Sequence, residues 1–308
     1  MKLKTDYQKI INAIYKQIKE EEDLGEIAKY IPELAKVDPN KFGVFLTTIE
    51  NEEYGIGDCL EKFSIQSIAK VLSLTMAYQT LSGNIWERVG VEPSGNPFNS
   101  LVQLETDEGI PRNPFINGGA LVICDMLLTQ LKNPKQEFLQ FIRDISGNPS
   151  IHYSEAIAKS EMSAGFRNIA VCNFIKSFGN IINDPNKVLD FYFHMCSIKM
   201  NCQELSQTFM FLANSKFRNV KNEPILNLSH AKRINAIMQT CGFYDESGEF
   251  SFKVGLPGKS GVGGGIVAVH PGEYTIAVWS PKLNKKGNSY RGMQFLELFT
   301  TKTESSIF

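Results

Sequence analysis

Apolar residues recur every three or four positions at both ends of the chain. This spacing predicts amphipathic helices over the first 23 residues and over RGMQFLELFTT (291–301). The stretch from about 64 to 240 follows mostly the same helical period, so a helical block is predicted there. Its clearest helical segments are SIAKVLSLTMAYQTL, GGALVICDMLLTQL, AIAKSEM, VLDFYFHMCSI, ELSQTFMFLAN and AKRINAIMQT.

Strand patterns lie on either side of this helical block. FGVFLTTI (42–49) and YGIGD (54–58) flank the polar ENEE and predict a β-hairpin, and GVGGGIVAVH (261–270) and YTIAVWSP (274–281) flank Pro-Gly-Glu and predict another. Strands from the two ends of a chain usually pair in one sheet. We therefore expect an α+β fold, with an antiparallel sheet covered on one face by the terminal helices.

The chain is expected to form one unit, residues 1–308, with two subdomains. Residues 1–62 and 243–308 would form the sheet with its terminal helices. Residues 63–242 would form a mainly helical subdomain inserted between the two hairpins.

Composition argues against several classes of partner. Charged residues make up 21% of the chain and the formal net charge is only −1, so no basic surface for a nucleic acid or an anionic membrane is expected. No stretch reaches the roughly 18 apolar residues that a membrane span requires. The six cysteines include no Cys-x-x-Cys pair and are expected to be reduced core thiols, and the N-terminus does not resemble a signal peptide. These features favour a cytoplasmic location.

Ser67 and Lys70 lie three positions apart at the start of an apolar predicted helix. This spacing places both side chains on one helix face, within hydrogen-bonding reach. A serine becomes a strong nucleophile when a base removes its proton, and a lysine can act as that base when burial lowers its pKa. The pair is typical of a Ser-Lys dyad, but also of a helix N-cap with a solvated lysine. The spacing recurs at Ser229 and Lys232.

A second motif strengthens the dyad interpretation. GLPGKSGVGGGIVAV (255–269) presents Lys259-Ser260-Gly261 on the approach to a predicted strand. A Ser-x-x-Lys helix with a Lys-[Ser/Thr]-Gly strand is typical of penicillin-binding proteins and class A β-lactamases. The glycines would let the backbone approach a substrate closely, so that the N–H groups of Ser67 and Val262 form an oxyanion hole. The alternative is a bulged strand that packs close to a helix.

Other catalytic arrangements have little support in the sequence. The four histidines form no His-Glu-x-x-His motif and no pair at metal-ligand spacing. A Gly-x-Ser-x-Gly turn, a Walker loop and a Gly-x-Gly-x-x-Gly segment opening a helix are also absent from the sequence. We therefore expect no metal ion, nucleotide or other cofactor.

Seven segments occur together and in a characteristic order: QSIAK (66–70), EPSGNPFNS (92–100), RNPFINGGA (112–120), SEMSAGFRN (160–168), DFYFHMCSI (190–198), CGFYD (241–245) and GLPGKSGVGGG (255–265). In these segments the chain resembles the glutaminases, in their short bacterial form, and the resemblance runs from about residue 28 to the final helix. It implies a β-lactamase-like fold and hydrolysis of L-glutamine to L-glutamate and ammonia. NGGA departs from the more common NAGA, and SEMSAGFRN lacks further charged residues that relatives commonly carry.

The resemblance implies catalytic roles for five residues. Ser67 matches the family nucleophile and Lys70 its base. Tyr30 and Tyr244 match tyrosines beside the dyad, and the backbone of Val262 matches an oxyanion donor. Of these, Ser67, Tyr244 and Val262 are expected to contact the substrate as well.

Four further residues match positions that hold the substrate. Glutamine carries an ammonium group, a carboxylate and a neutral amide. A buried anion suits the ammonium group, which Glu161 can supply, and polar donors suit the carboxylate. Asn117, Asn168 and Tyr192 can supply these donors.

The expected reaction begins with attack of Ser67 on the side-chain amide carbon, with Lys70 as base. Ammonia leaves, and water then hydrolyses a glutamyl ester on the serine. The expected partner is L-glutamine, and the resemblance implies a homo-oligomer, either a dimer or a tetramer.

Two alternatives stay open at this point. A β-lactamase-like or peptidase-like acyl enzyme would use a Ser-x-Asn motif, which occurs at residues 94–96 and 146–148, although both have the composition of glycine-containing turns. A glutamine-binding sensor without catalysis would bind glutamine and release no ammonia.

Overall fold

A computed structural model describes residues 5–81, 85–94 and 101–308. The strands are β1 (Glu26–Ile27), β2 (Gly43–Thr48), β3 (Glu53–Gly57), β4 (Phe63–Ser64), β5 (Lys199–Met200), β6 (Gly258–Gly261), β7 (Gly265–His270), β8 (Tyr274–Trp279) and β9 (Lys282–Leu283). The α-helices are α1 (Tyr7–Glu20), α2 (Ala69–Thr80), α3 (Ile85–Arg88), α4 (Leu101–Thr106), α5 (Asn117–Gln130), α6 (Pro134–Ser146), α7 (Glu155–Ala164), α8 (Phe166–Ser177), α9 (Pro185–Cys196), α10 (Cys202–Thr208), α11 (Met210–Ala213), α12 (Leu228–Cys241), α13 (Ser247–Lys253) and α14 (Tyr290–Thr303). Three 3₁₀ turns are Leu34–Lys36, Gln66–Ile68 and Tyr244–Glu246.

The main sheet is antiparallel and has the strand order β3-β2-β8-β7-β6. Both predicted hairpins are present, because β2 pairs with β3 and β7 pairs with β8. The hairpins join through β2 and β8, where Phe45 faces Ala277 across the ladder. The α+β class and the pairing of strands from the two ends of the chain are therefore confirmed.

The prediction of one continuous strand over 261–270 is wrong. Lys259-Ser260-Gly261 forms most of β6, and the chain turns at residues 262–264 before β7 begins. Gly264 has a φ of +87°, in the left-handed region that glycine adopts without steric cost. The Lys-Ser-Gly motif therefore lies in a separate strand at the end of the sheet.

The terminal helices cover one face of the sheet, as predicted. Helix α1 begins after Asp6, whose side chain accepts a hydrogen bond from the Lys9 N–H at 3.1 Å. Its residues Ile11, Ile14 and Ile18 are fully buried. They pack in one apolar core with residues of the strands and of α14. The strand residues of this core include Val44, Leu46, Ile266, Ile276 and Val278, and those of α14 include Phe295, Leu296 and Phe299.

The opposite face of the sheet packs against the helical block. Phe45, Val267 and Trp279 belong to the core that this block forms. Two of its helices lie deep inside the protein, since α2 is buried from Ala69 to Ala77 and α5 is buried along its first eleven residues. Helices that are apolar around their whole circumference occupy such central positions.

The predicted helical block is present, with differences in detail. ELSQTFMFLAN lies in two short helices, α10 and α11. Helices α6 and α8 are present in addition to the helical segments predicted from the sequence. The six cysteines are buried and free, which confirms the core thiols. None of the helices among the described residues has both the length and the apolar character needed to cross a bilayer. The proposed division into two subdomains stays a prediction.

Candidate active site

A cavity of about 330 Å³ opens where the two ends of the chain meet the helical block. All the predicted site residues except Lys70 line this cavity: Tyr30, Ser67, Asn117, Glu161, Asn168, Tyr192, Tyr244 and Val262. Lys70 is fully buried behind them. The fold therefore brings residues from seven separate segments to one small volume.

Ser67 is carried by a strained connection between β4 and α2. The preceding residue, Gln66, has a φ of +50°, which costs about 1–2 kcal/mol for a residue with a Cβ atom. The Gln66 side chain is buried, and its amide donates to Ser64 Oγ at 2.9 Å. It also lies close enough to the Glu161 carboxylate to oppose the rise of its pKa. Gln66 is thus a neighbour of both Ser67 and Glu161 in the cavity wall.

Glycines in the turn after β6 bring Val262 to the same place. A Cβ atom at Gly261 would lie 2.4 Å from the Ile65 carbonyl oxygen, and one at Gly263 would lie 2.2 Å from the Ser64 carbonyl oxygen. The turn therefore packs against the backbone that leads to Ser67, which only glycine permits. From the sequence, the glycines were predicted to let this backbone approach a substrate; in the structure they let it approach residues 64 and 65.

Lys70 lies in the first turn of α2 and is 0% exposed. Its Nζ donates to the Phe115 carbonyl oxygen at 2.9 Å and to Asn117 Oδ1 at 2.7 Å. Burial lowers the pKa of Lys70 from 10.5 to about 8, and the Glu161 charge partly opposes this. A lysine in this environment has an appreciable neutral fraction at mildly alkaline pH.

The Ser67 hydroxyl lies beside the Tyr244 phenol in the cavity wall. For the described residues, no hydrogen bond joins Ser67 to Lys70, the contact that the helix spacing predicted. Burial raises the pKa of Tyr244, and the neighbouring Ser67 opposes this. The phenol therefore stays protonated at neutral pH beside the serine.

Two buried lysines flank the Tyr244 ring. The Nζ atoms of Lys70 and Lys259 lie 5.5 Å and 4.3 Å from the ring centroid. Lys259 donates to the carbonyl oxygens of Gly242 at 2.9 Å and Ser260 at 2.7 Å. Burial, together with the Lys70 charge, lowers the pKa of Lys259. Any charge on these lysines attracts the negative face of the ring.

Asn117 and Asn168 extend the hydrogen bonds of Lys70 into the cavity wall. Asn117 is the first residue of α5, and its Nδ2 donates to Asn168 Oδ1 at 2.8 Å. Asn168 lies in the first turn of α8. The two amides therefore hold a fixed orientation with respect to Lys70.

Glu161 places a buried carboxylate in the cavity. Helix α7 carries it and begins after Ser154, whose hydroxyl caps the Ile157 N–H. Glu161 is 7% exposed, and its Oε1 has no hydrogen-bond partner within the described ranges. Burial raises the pKa of Glu161 from 4.5 to about 7, while the neighbouring Gln66 and the Lys70 charge oppose this. An unpartnered buried oxygen of this kind calls for a donor from a ligand.

Tyr192 and Tyr30 line the cavity with very different exposure. Tyr192 lies on α9, which begins with Asp184 as N-cap and Pro185 as first residue, and its side chain is buried. Tyr30 follows β1 and is 60% exposed. Tyr30 therefore lies where the cavity meets solvent.

Some residues at the site were not assigned a role from the sequence. Gln66, Arg167 and Cys196 line the cavity, and Lys259 lies behind Tyr244. Each belongs to a segment of the family resemblance, which was the available signal. Their side-chain contacts depend on packing between distant segments, so spacing alone could not reveal them.

The competing motifs lie elsewhere or cannot be placed. Ser229 and Lys232 are exposed on α12. Residues 146–148 form a turn at the end of α6, where Gly147 has a φ of +68°. The other Ser-x-Asn match spans residues 94–96, and its residues 95 and 96 lie outside the described residues. In the described part of the chain, no group of three His, Cys, Asp or Glu side chains could hold a metal ion.

Comparisons with known proteins show the family to which the chain is similar. The family model for Glutaminase matches residues 25–308. A glutaminase of Saccharophagus degradans is 59% identical over 303 residues, which cover 98% of this chain and 99% of the relative. A solved structure of probable glutaminase ybaS is 31% identical, with a TM-score of 0.91 and 98% of both chains covered. A structure of Mglu in its tris and glutamate form is 26% identical, with a TM-score of 0.92, and covers 99% of this chain and 68% of that one.

The structural neighbours confirm the predicted β-lactamase-like fold, because they are glutaminases that share the whole architecture. The family match extends over nearly the entire chain. The relative from Saccharophagus degradans is 59% identical over nearly the whole of both chains, and proteins this similar belong to one family. The chain therefore belongs to the glutaminase family of amidohydrolases.

Proposed function

We propose that the chain hydrolyses the side-chain amide of L-glutamine to L-glutamate and ammonia, with Ser67 as nucleophile. The observation that carries the proposal is the shared cavity of the Ser67 hydroxyl and the unpartnered Glu161 oxygen. A free amino acid presents an ammonium group to the carboxylate while its side-chain amide extends to the serine. Mglu, a structural neighbour, is described in a glutamate form, which agrees with glutamate as product.

Substrate recognition in this proposal divides between charge and hydrogen bonding. Glu161 binds the substrate ammonium group, since a buried anion forms strong charge-assisted hydrogen bonds. Asn117, Asn168 and Tyr192 donate to the substrate carboxylate. A site that hydrogen-bonds both groups rejects a glutaminyl residue within a peptide, because peptide bonds remove the two charges.

The first step forms a glutamyl ester. Neutral Lys70 has two N–H groups, which match its two acceptors, the Phe115 carbonyl and Asn117 Oδ1, and a lone pair that takes the Ser67 proton. The serine oxygen attacks the amide carbon, and the N–H groups of Ser67 and Val262 stabilise the oxyanion. The carbon–nitrogen bond then breaks as nitrogen takes a proton from the Tyr244 phenol. Lys70 then gives the proton that it took from Ser67 to the Tyr244 phenolate, and ammonia leaves.

The second step hydrolyses the ester by the same groups. Water attacks the ester carbon and gives its proton to Lys70. The bond to the serine oxygen breaks, and Ser67 recovers a proton from Lys70. The new carboxyl group releases its proton to solvent to give glutamate, and Ser67, Lys70 and Tyr244 are again in their starting protonation states. Tyr30 closes the mouth of the cavity in this scheme, next to Glu161.

The test compares Ser67→Ala with the wild-type protein in glutamine, with ammonia and glutamate both measured. Wild type should release the two products in equal amounts, and Ser67→Ala should lose turnover by at least about 1,000-fold while staying folded. Ser146→Ala is the matched control, because Ser146 belongs to the competing Ser-x-Asn motif and lies outside the cavity. Turnover near wild type in Ser67→Ala would reject the proposal.

Two further measurements separate the alternatives. A labelled penicillin that acylates Ser67 would favour a β-lactamase-like acyl enzyme. Measurable glutamine binding without ammonia release, with and without phosphate, would favour a sensor. The homo-oligomeric state and the cytoplasmic location stay predictions; sedimentation of the purified protein would test the first.

A further inference from the structure

The backbone that carries Tyr244 is held by a side chain outside the cavity. Tyr244 has a φ of +57°, an unfavourable conformation for a bulky residue that persists only where the surroundings hold it. The Ser247 hydroxyl accepts a hydrogen bond from the Phe243 N–H at 3.0 Å and donates one to the Tyr244 carbonyl oxygen at 2.9 Å. One hydroxyl therefore bridges both ends of the two-residue segment that includes the strained residue.

Contacts on either side fix where this segment lies. On the N-terminal side, the Gly242 carbonyl oxygen accepts from Lys259 Nζ at 2.9 Å and from the Ser260 N–H at 3.4 Å. On the C-terminal side, the buried Glu246 carboxylate accepts from Asn284 Nδ2 at 2.9 Å and from Asn288 Nδ2. Residues 242 and 246 are thus anchored to the sheet and to the loop before α14. Ser247 acts on the residues between these anchors.

We infer that Ser247 is a positioning residue for the proposed reaction: its hydroxyl holds the Tyr244 backbone so that the phenol stays beside Ser67. The inference rests on the proposed function. Ser247 is buried and is not part of the cavity lining, so it reaches the substrate only through Tyr244.

Removal of the hydroxyl should change turnover more than binding. Ser247→Ala is expected to lower kcat by about 10- to 100-fold, the effect of a catalytic group displaced by up to about 1 Å. KM should stay within about threefold of wild type, because the groups proposed to bind the charged ends of glutamine lie on α5, α7, α8 and α9.

Ser251→Ala is the matched control on the same helix, α13. The Ser251 hydroxyl donates to the Gln239 carbonyl oxygen at 3.1 Å and accepts from Gln239 Nε2 at 2.6 Å. It therefore has the same number of hydrogen bonds as Ser247, but none to the Tyr244 turn. Its removal should lower the melting temperature by a similar amount and leave kcat unchanged.

A double-mutant cycle shows whether Ser247 acts through the phenol. In a Tyr244→Phe background, Ser247→Ala should lower kcat by less than about twofold, since the group that it positions is already gone. An equal loss of kcat in both backgrounds would overturn the inference. If Ser247→Ala does not fold, Ser247→Cys replaces it; wild-type kcat in that variant would also overturn the inference.

The outcomes also separate this inference from the proposed function. If Ser67→Ala and Tyr244→Phe lose turnover but Ser247→Ala keeps wild-type kcat, only the role of Ser247 is rejected. If Ser67→Ala keeps turnover, the proposed function is rejected, and the role of Ser247 with it.

Discussion

The two faces of the main sheet are buried against cores of different chemistry. Towards α1 and α14, alternate strand residues such as Val44 and Ile266 meet aliphatic and aromatic side chains. Towards the helical block, Val267 belongs to the second core, and its partner across the ladder is Lys259, a fully buried lysine. Both faces are buried, but the one towards the helical block adjoins the ionisable groups of the site.

This difference separates stability from proposed chemistry. Burial disfavours the charged forms of Lys70, Lys259 and Glu161, as the directions of their pKa shifts indicate. Burial of these ionisable groups lowers the free energy of unfolding, so favourable burial elsewhere in the fold must offset it. The apolar core between the sheet and the terminal helices provides such burial. Substitutions in the two regions should therefore affect different measurements.

The largest effect is expected from Lys70→Met. The variant should lower kcat by about 100- to 10,000-fold through loss of the proposed base. Its free energy of unfolding should stay within about 2 kcal/mol of wild type, because relief of the buried charge offsets two lost hydrogen bonds. Ammonia release and urea unfolding measure the two quantities. Lys232→Met is the control, since that lysine is exposed in the second Ser-x-x-Lys match.

Leu296→Ala should have the opposite profile. Leu296 lies on α14 and is fully buried against the sheet core, and its truncation is expected to cost about 2–5 kcal/mol of unfolding free energy. At a temperature where the variant stays folded, kcat and KM should equal those of wild type. Leu298→Ala, on the same helix at a half-buried position, should cost less. A large fall in kcat for folded Leu296→Ala would mean that the two cores are not separable.

The smallest effect is expected from Glu161→Gln, which should change both the KM for glutamine and the pH dependence of the unfolding free energy. KM should rise by about 10- to 100-fold through loss of a charged partner for the substrate ammonium group. Because the folded-state pKa of Glu161 is raised from 4.5 to about 7, wild-type stability falls as pH rises through this range. The difference in pKa corresponds to about 3 kcal/mol at most.

Urea unfolding at pH 4.5 and pH 8 tests this sign. Glu161→Gln should gain stability relative to wild type on going from the lower to the higher pH, since glutamine has no carboxylate to ionise. Other titrating groups cancel in the comparison of the two proteins. An equal difference at both pH values would contradict the pKa assigned to Glu161.

Much of the fold was readable from local patterns. The period of apolar residues located α1, α14 and most helices of the central block, and alternation with turn residues located both hairpins. The break at residues 262–264 was missed because a glycine run can continue a strand as a bulge or turn the chain back, and both have the same composition. Local spacing does not distinguish the two.

The candidate site was readable in part. The sequence alone placed Ser67 and Lys70 on one helical turn, and the family resemblance supplied the other residues. The contacts are different from those expected, because Ser67 lies beside Tyr244 while Lys70 donates hydrogen bonds to residues 115 and 117. Helical spacing fixes which side chains are neighbours, but not which partner each prefers.

The sequence by itself determined the local elements, the low net charge and the proximity of one serine to one lysine, since these depend on residues close together in the chain. Only the tertiary structure decided that Tyr244 and Glu161 line one cavity with Ser67, and that Lys259 is buried against the Tyr244 ring. The reason is physical: burial and long-range contacts set the pKa of an ionisable group, and both arise only when distant segments pack together.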